Sequence, residues 1–219
     1  MPLHPQARAV LDQGEALGLP KLNELPPDQA REVARGMIQF VGAGPELANV
    51  EDITGLIGNY AHGNEPSHHI GYLYVYAGQP WRTQERLKQI VTSQYQPMPG
   101  GLSGNDDLGQ MSAWLIFTSL GFYPVTPGSG EYVIGRPFVD HAVLHLPNGK
   151  TFSIVAENLS DANGYVGAVR LNGQPLSRAF IRHEEILKGG ELRFIMQAQP
   201  NKSWATDPHS RPYSMSSYQ

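Results

Sequence analysis

The sequence predicts an α+β fold in which helices come first and an antiparallel β layer follows. Three observations carry that expectation. Apolar residues recur every three or four positions in the first half of the chain. The period drops to two after about residue 131, and two Asn-Gly dipeptides, 148–149 and 172–173, punctuate the alternating part. Helices and strands confined to separate stretches pack as segregated layers rather than as a doubly wound sheet. Turn content agrees: 24 glycines and 18 prolines make up about a fifth of the chain, where about 12% is usual.

Residues 1–50 read as a helical arm. Pro5 suits a first helical position, and the run 6–17 ends at Gly18 with Pro20 beyond it. Gly14 weakens that run by about 1 kcal/mol relative to alanine. A second helix follows Pro26 and Pro27, with Ala30, Val33, Ala34, Met37, Ile38 and Val41 at i, i+3, i+4 spacing until Gly42, Gly44 and Pro45 stop it.

Residues 51–130 predict three further helices. Pro66 is placed as a first helical residue after Asn64 and Glu65, and Gly78 closes that helix. The next covers 80–95, with Trp81, Leu87, Ile90, Val91 and Gln94 along one side. After the glycine-rich loop PMPGGLSGNDD, a third covers 108–120, capped by Asn105 or Asp106 and terminated by Gly121.

Residues 131–205 alternate. In 139–146, Val139, His141, Val143 and His145 fall on one face, and Asp140, Ala142, Leu144 and Leu146 on the other. Strands over 151–157, 165–171, 180–183 and 191–197 complete a meander of five or six strands, with Asn-Gly hairpin turns. The polar stretch 206–219 is expected to be a disordered tail.

Composition excludes several classes. The 16 Lys and Arg residues against 20 Asp and Glu leave a net charge of −4 and no basic cluster to bind nucleic acid. There is no cysteine, so disulfides, thiolate metal sites and cysteine nucleophiles are out. No stretch approaches the roughly 18 to 20 apolar residues of a membrane span. The start, MPLHPQARAVLDQ, lacks the pattern of a secretory signal, so the sequence as written reads as cytoplasmic.

Two strings concentrate the chemistry. In GNEPSHH, residues 63–69, Asn64 and Glu65 stand at a helix start, where free N–H groups hold a carboxylate, and such hard oxygens suit calcium better than zinc. His68 and His69 point about 100° apart on a helix and cannot easily chelate one ion; a capping Glu with two hydrogen-bonded histidines is the alternative. In GNDDLGQMSAW, residues 104–114, Asp106 and Asp107 follow a glycine-rich loop and precede a helix, which keeps them ionised and suits a general base. A simple helix cap is the alternative there too. Trp81 and Trp114 read as core residues, whereas Tyr60, Tyr72, Tyr74 and Tyr76 would suit stacking on a sugar.

These strings carry a resemblance. HGNEPSHHIGYLYVYAGQPWRTQ, GLSGNDDLGQMSAW and LGFYPVTPGSGEYVIGRP, spanning about 52–205, resemble the glycoside hydrolase family 92 mannosidases. The resemblance implies calcium-dependent, inverting exo-α-mannosidases acting on mannose-containing glycans, with an (α/α)6-type barrel and β-sandwich layers. It assigns the general base to the Asp pair, Asp107 before Asp106, and places Glu65 and Asn64 near the calcium. His68, His69 and Gln110 become candidates for contacting the sugar hydroxyls or for supporting the residues that do.

Inverting hydrolysis needs a second carboxyl roughly 6.5 to 9.5 Å from the base. The family's acid is a Glu in an upstream barrel motif that has no match here, so the chain reads as a C-terminal piece of the fold with weak or absent activity. Residues 1–50 resemble the N-terminal cap helices of hormone-sensitive-lipase-type esterases, without their catalytic strings. The chain then reads as a chimera joined near 50–54, whose helical arm would mediate homo-oligomer formation. A non-catalytic carbohydrate-binding or interaction module is the rival expectation.

Overall fold

A short hairpin of β1 (Leu56–Ile57) and β2 (Tyr60–Ala61) opens the part of the chain that a computed structural model describes, residues 54–214. Every described residue falls in one compact unit, Ala48–Gln219. The helical arm, its resemblance to esterase caps and its role in oligomer formation concern residues outside the described ones.

The single helix expected after Pro66 is instead a staircase. A 3-10 turn (Glu65–Ser67), a second (Ile70–Tyr72) and one turn of helix, α1 (Leu73–Tyr76), follow each other before Gly78. Pro66 does sit at a first-turn position, in the first of the 3-10 turns. No helix dipole builds up over three residues, so the predicted electrostatic hold on Glu65 is replaced by side-chain contacts. The next helix, α2 (Pro80–Gln94), runs as read.

Its buried stripe is Thr83, Gln84, Leu87 and Ile90, with Trp81 only half-buried. The buried glutamine has a reason. Gln84 accepts a 3.0 Å hydrogen bond from the Val166 N–H, while Tyr165 donates to Glu85 at 3.0 Å and Lys88 to the Asp161 carbonyl at 3.1 Å. Polar side chains thus fasten this helix to the start of a strand whose backbone would otherwise lack partners. Helix α3 (Gln110–Leu120) follows, two residues later than its expected start.

Three strands form a middle layer: β3 (Phe122–Tyr123), β4 (Glu131–Ile134) and β9 (Phe180–Arg182), in the order β3-β4-β9. Successive residues of a strand face opposite sides, and here they enter different cores. Phe122, Ile134 and Ile181 join the core under the large sheet, while Val133 and Ala179 join Tyr72, Val75, Leu87, Ile90 and Trp114 in the helical core. The helical and β layers are held together through this shared sheet.

The large sheet contains β5 (His141–His145), β6 (Thr151–Glu157), β7 (Tyr165–Leu171), β8 (Gln174–Pro175) and β10 (Gly190–Gln197). Its order is β5-β6-β10-β7-β8. Helices before strands, mostly antiparallel, is the α+β arrangement expected, but the strand path is not a meander. β10 inserts between β6 and β7, parallel to the first and antiparallel to the second, and β9 leaves for the middle layer. Leu192, Phe194 and Met196 of β10 are all buried. Each is worth roughly 1.5–3 kcal/mol when taken out of water, and a central position covers them more completely than an edge. Between β9 and β10 lies α4 (His183–Leu187), which drops Ile186 into the same core. On β5 the expected faces hold: Ala142 and Leu144 pack on the core, and His141, Val143 and His145 are exposed.

Part of the supposed disordered tail is ordered. A 3-10 turn spans Pro208–Ser210, and the Ala179 N–H donates to the Ser210 carbonyl at 2.7 Å. The Tyr213 N–H donates to Glu131 at 2.9 Å, so the chain is tied to β4 well past residue 206. Among the described residues no helix is long and apolar enough to cross a membrane.

Candidate functional site

The two motif strings are drawn together by glycines that permit backbone contact. A Cβ placed on Gly63 would lie 2.0 Å from Thr54 Oγ1 and 3.1 Å from the Ser103 carbonyl oxygen. One placed on Gly104 would lie 2.7 Å from Thr54 Oγ1 and 3.1 Å from Gly63 Cα. The loop before Glu65 and the loop before Asp106 therefore touch main chain to main chain, which no larger residue allows. Gly63→Ala is expected to separate the loops and destabilise the unit by about 1–3 kcal/mol. Urea denaturation checks this; unchanged stability would show that the loops tolerate the Cβ.

The clasp places Glu65 against Asp107. Hydrogen bonding between their carboxyl groups holds Glu65 below the usual carboxylate range and Asp107 above it, with the nearby charge of Asp106 adding to the rise at Asp107. Glu65 is half-buried, and its Oε1 is closed off from solvent without a hydrogen-bond partner. Gly109 occupies the cap position of α3, and Asp106 satisfies its first turn from outside it: its Oδ1 accepts from the Ser112 N–H at 2.9 Å and its carbonyl from the Met111 N–H at 3.2 Å. Asp107, Leu108 and Gly109 then run through three successive left-handed conformations, φ 47°, 59° and 89°. The two non-glycine residues carry on the order of 1–2 kcal/mol each of backbone strain. That strain turns the chain sharply before the helix, delays the helix start to Gln110, and leaves Asp107 and Leu108 exposed.

Behind the carboxyls lies an aromatic and imidazole layer. His62 is fully buried between Tyr60, whose hydroxyl lies 2.7 Å from Nδ1, and Tyr95, whose hydroxyl lies 2.7 Å from Nε2. Burial, with a smaller push from His68, takes His62 down to about 3, so its ring is neutral. Burial likewise raises the Tyr60 and Tyr95 hydroxyls, which stay protonated. Trp114 packs edge-on to His62, with ring centres 4.4 Å apart, and its indole N–H donates to the His68 carbonyl at 3.0 Å.

The expected site residues separate into two groups. Glu65, Asp106 and Asp107 come together, and Asn64 stands exposed beside them at the start of the first 3-10 turn. Of the two roles open to His68, the hydrogen bonds give it the supporting one. It is buried, its Nε2 lies 3.0 Å from the His62 carbonyl oxygen, and its Nδ1 lies 3.1 Å from the Gln110 carboxamide nitrogen. Both ring nitrogens are consumed inside the protein, and burial lowers its pKa as well. His69 is exposed on the next residue. Gln110 spends its amide hydrogens on His68 and on the Tyr123 hydroxyl, 3.1 Å away, which leaves its Oε1 as the atom free to meet a hydroxyl. Of the aromatic residues, Tyr72 and Trp114 are buried and provide no sugar platform.

His62 stands out in the sequence only as one of three histidines within eight positions, with His68 and His69, and Tyr95 and Tyr123 do not stand out at all. His62 precedes Asn64 by two residues in no regular element, and Tyr95 lies 33 residues further on, beyond any helix or strand template.

The donor chemistry suits a hard cation in part. Two facing carboxylates and an orphaned carboxylate oxygen are what a divalent ion would relieve. Among the described residues, however, no group of three His, Asp or Glu side chains is arranged to hold a metal. Any calcium would need further oxygens from main chain, water or sugar.

The profile of the glycosyl hydrolase family 92 catalytic domain matches residues 20–198. A solved family GH92 α-mannosidase from Bacteroides thetaiotaomicron is 39% identical, with a TM-score of 0.78 over 84% of this chain and 25% of its own. An inverting mannosidase of that family from the same organism is 44% identical, with a TM-score of 0.68 over 73% of this chain and 22% of its own. A curated relative, an uncharacterized secreted glycosidase of Arthroderma benhamiae, is 33% identical over 156 residues, which are 70% of this chain and 20% of the relative. The chain thus spans about a fifth to a quarter of these proteins. The family match begins at residue 20, well inside the stretch read as borrowed from an esterase. A join at 50–54 is therefore not supported.

Proposed function

Since the chain belongs to glycosyl hydrolase family 92, we propose that it carries the base side of an inverting α-mannosidase site for terminal mannose residues. The contact between Glu65 and Asp107, created by the Gly63–Gly104 clasp, is the observation that supports this reading. Asp107 is exposed and holds its proton more readily than an ordinary aspartate, as a residue that must take one from water does. Asp106, already occupied with the first turn of α3, orients the turn that presents Asp107. Gln110 Oε1 would accept from a sugar hydroxyl, and exposed His69 stands nearest in sequence to a second such contact.

Calcium would neutralise the facing carboxylates and take the vicinal hydroxyls of mannose. Glu65 and Asn64 would hold it.

The acid lies elsewhere in the parent enzyme. With Glu65 assigned to the metal, the second carboxyl that inversion requires roughly 6.5 to 9.5 Å from the base is sought outside this chain. The isolated chain is accordingly proposed to be incomplete. The secreted curated relative favours a parent that works outside the cytoplasm.

Two measurements test this. Calcium titration of the full chain by calorimetry should show binding that Glu65→Gln weakens at least about tenfold, and absence of binding would remove the metal reading. An α-mannoside assay should give no robust turnover. Strong calcium-dependent hydrolysis, abolished by Asp107→Ala, would overturn the incompleteness. Sugar binding that ignores substitution of both aspartates would instead identify a carbohydrate-binding module.

A further inference from the structure

Hydrogen bonds around His62 leave little freedom in where its protons sit. The Met111 carbonyl can only accept, so the Tyr95 hydroxyl, 3.0 Å away, donates to it. With that proton committed, the same hydroxyl must accept from His62, and Nε2 carries the hydrogen. The neutral ring then offers a lone pair at Nδ1, into which Tyr60 donates. The His62 carbonyl accepts from His68 Nε2, so His68 holds its hydrogen there and accepts from Gln110 at Nδ1. Two chains of hydrogen bonds therefore run between the loop that holds Glu65 and the first turn of α3. That turn is where the Met111 and Ser112 N–H groups bind Asp106.

We propose that His62, acting through Tyr95, is a positioning residue that sets the GNEPSHH loop against the first turn of α3, and so sets where Asp107 stands relative to Glu65. The proposal rests on the reading of Glu65 and Asp107 as the site, but the relay itself does not depend on any sugar or metal. It also gives the two buried histidines a role distinct from ligation. A flexible or polar-poor interior would let the strained Asp107–Leu108 turn relax, whereas Tyr95 and His62 leave its neighbouring helix turn one seat.

Two tyrosines whose hydroxyls meet opposite ends of α3, at Met111 and at Thr118, make the test. Tyr95→Phe removes the hydroxyl that joins His62 to Met111. Tyr72→Phe removes a more deeply buried hydroxyl, 2.8 Å from Thr118 Oγ1 in the third turn of the same helix, that touches neither loop. The full chain is followed by amide hydrogen exchange and by titration with calcium chloride alone. Tyr95→Phe should speed exchange at Met111 and Ser112 by about tenfold and weaken calcium several-fold, while Tyr72→Phe, with a similar fall in melting temperature, should leave both within about twofold. Equal effects of the two variants, or unchanged exchange at Ser112 in Tyr95→Phe, would overturn the proposal. An exchange contrast without any calcium binding by the wild type would support the positioning role and sink the metal reading.

Discussion

Acidification from pH 7 to pH 4 is expected to destabilise the described unit by about 3 kcal/mol through His62 alone. The sign follows from its depressed pKa. A histidine near 3 in the folded chain and near 6.5 when unfolded gives stability that is fully present above pH 6.5. It is lost as pH falls towards 3, because only the unfolded chain takes up the proton in that window. Each unit is worth about 1.36 kcal/mol, so the loss at pH 4 is on the order of 3 kcal/mol. His68, also depressed by burial, works in the same direction, as does Glu65 at lower pH. The raised Asp107 opposes them, since its contribution is present at low pH and disappears as pH rises through its folded value. Denaturation midpoints measured between pH 7 and pH 4 check this. His62→Gln, which cannot titrate, should flatten most of the slope; a wild-type profile already flat over that range would refute it.

Trp114→Ala is expected to cost about 3–5 kcal/mol, the range for truncating a large buried aromatic residue. Trp114 is fully buried, stacks parallel to Tyr95 with centres 6.0 Å apart, and meets His62, His68 and Tyr123 on its other sides. Its removal opens a cavity among groups that are themselves polar, and it leaves the His68 carbonyl without its donor. That carbonyl cannot be reached by solvent unless the layer opens, so the unpaired group adds to the loss. Since whole domains hold only about 5–15 kcal/mol, the variant is expected to be largely unfolded at 37 °C. Trp114→Phe, which keeps most of the ring volume but not the N–H, should lose a smaller part. Urea denaturation of both variants separates packing from hydrogen bonding; a loss under about 1 kcal/mol for the alanine variant would contradict the packing argument.

Much of the local structure was legible because the determinants are local. Pro80 and the apolar spacing after it define α2; the alternation in 139–146 sorts β5 correctly into a packed and an exposed face. Asp106 could be read as a partner for the free N–H groups of α3, and it does accept from Ser112, although the cap position itself falls on Gly109. The helix expected after Pro66 broke into turns as buried His68 and Tyr72 took partners from distant chain, Gln110 and Thr118. The place of β10 was hidden for a different reason. Alternating burial describes what each strand needs, and several neighbours could satisfy it; the sequence order of strands carries no rule that puts the last one in the middle.

The residues of the site divide along the same line. Glu65, Asp106 and Asp107 could be picked out because carboxylates beside glycine-rich turns are rare enough to notice. Their contact could not, since it depends on Gly63 and Gly104 meeting across 41 positions of chain. By itself the sequence determined the family, the α+β class, the alternation that marks the strands and the identity of the acidic groups. Only the tertiary structure decided that His68 turns inward rather than to a sugar, that His62 and Tyr95 join two distant loops, and that Glu65 faces Asp107. A side chain's role in a site depends on which atoms remain unpaired after packing, and that remainder is known only once the neighbours supplied by distant chain are in place.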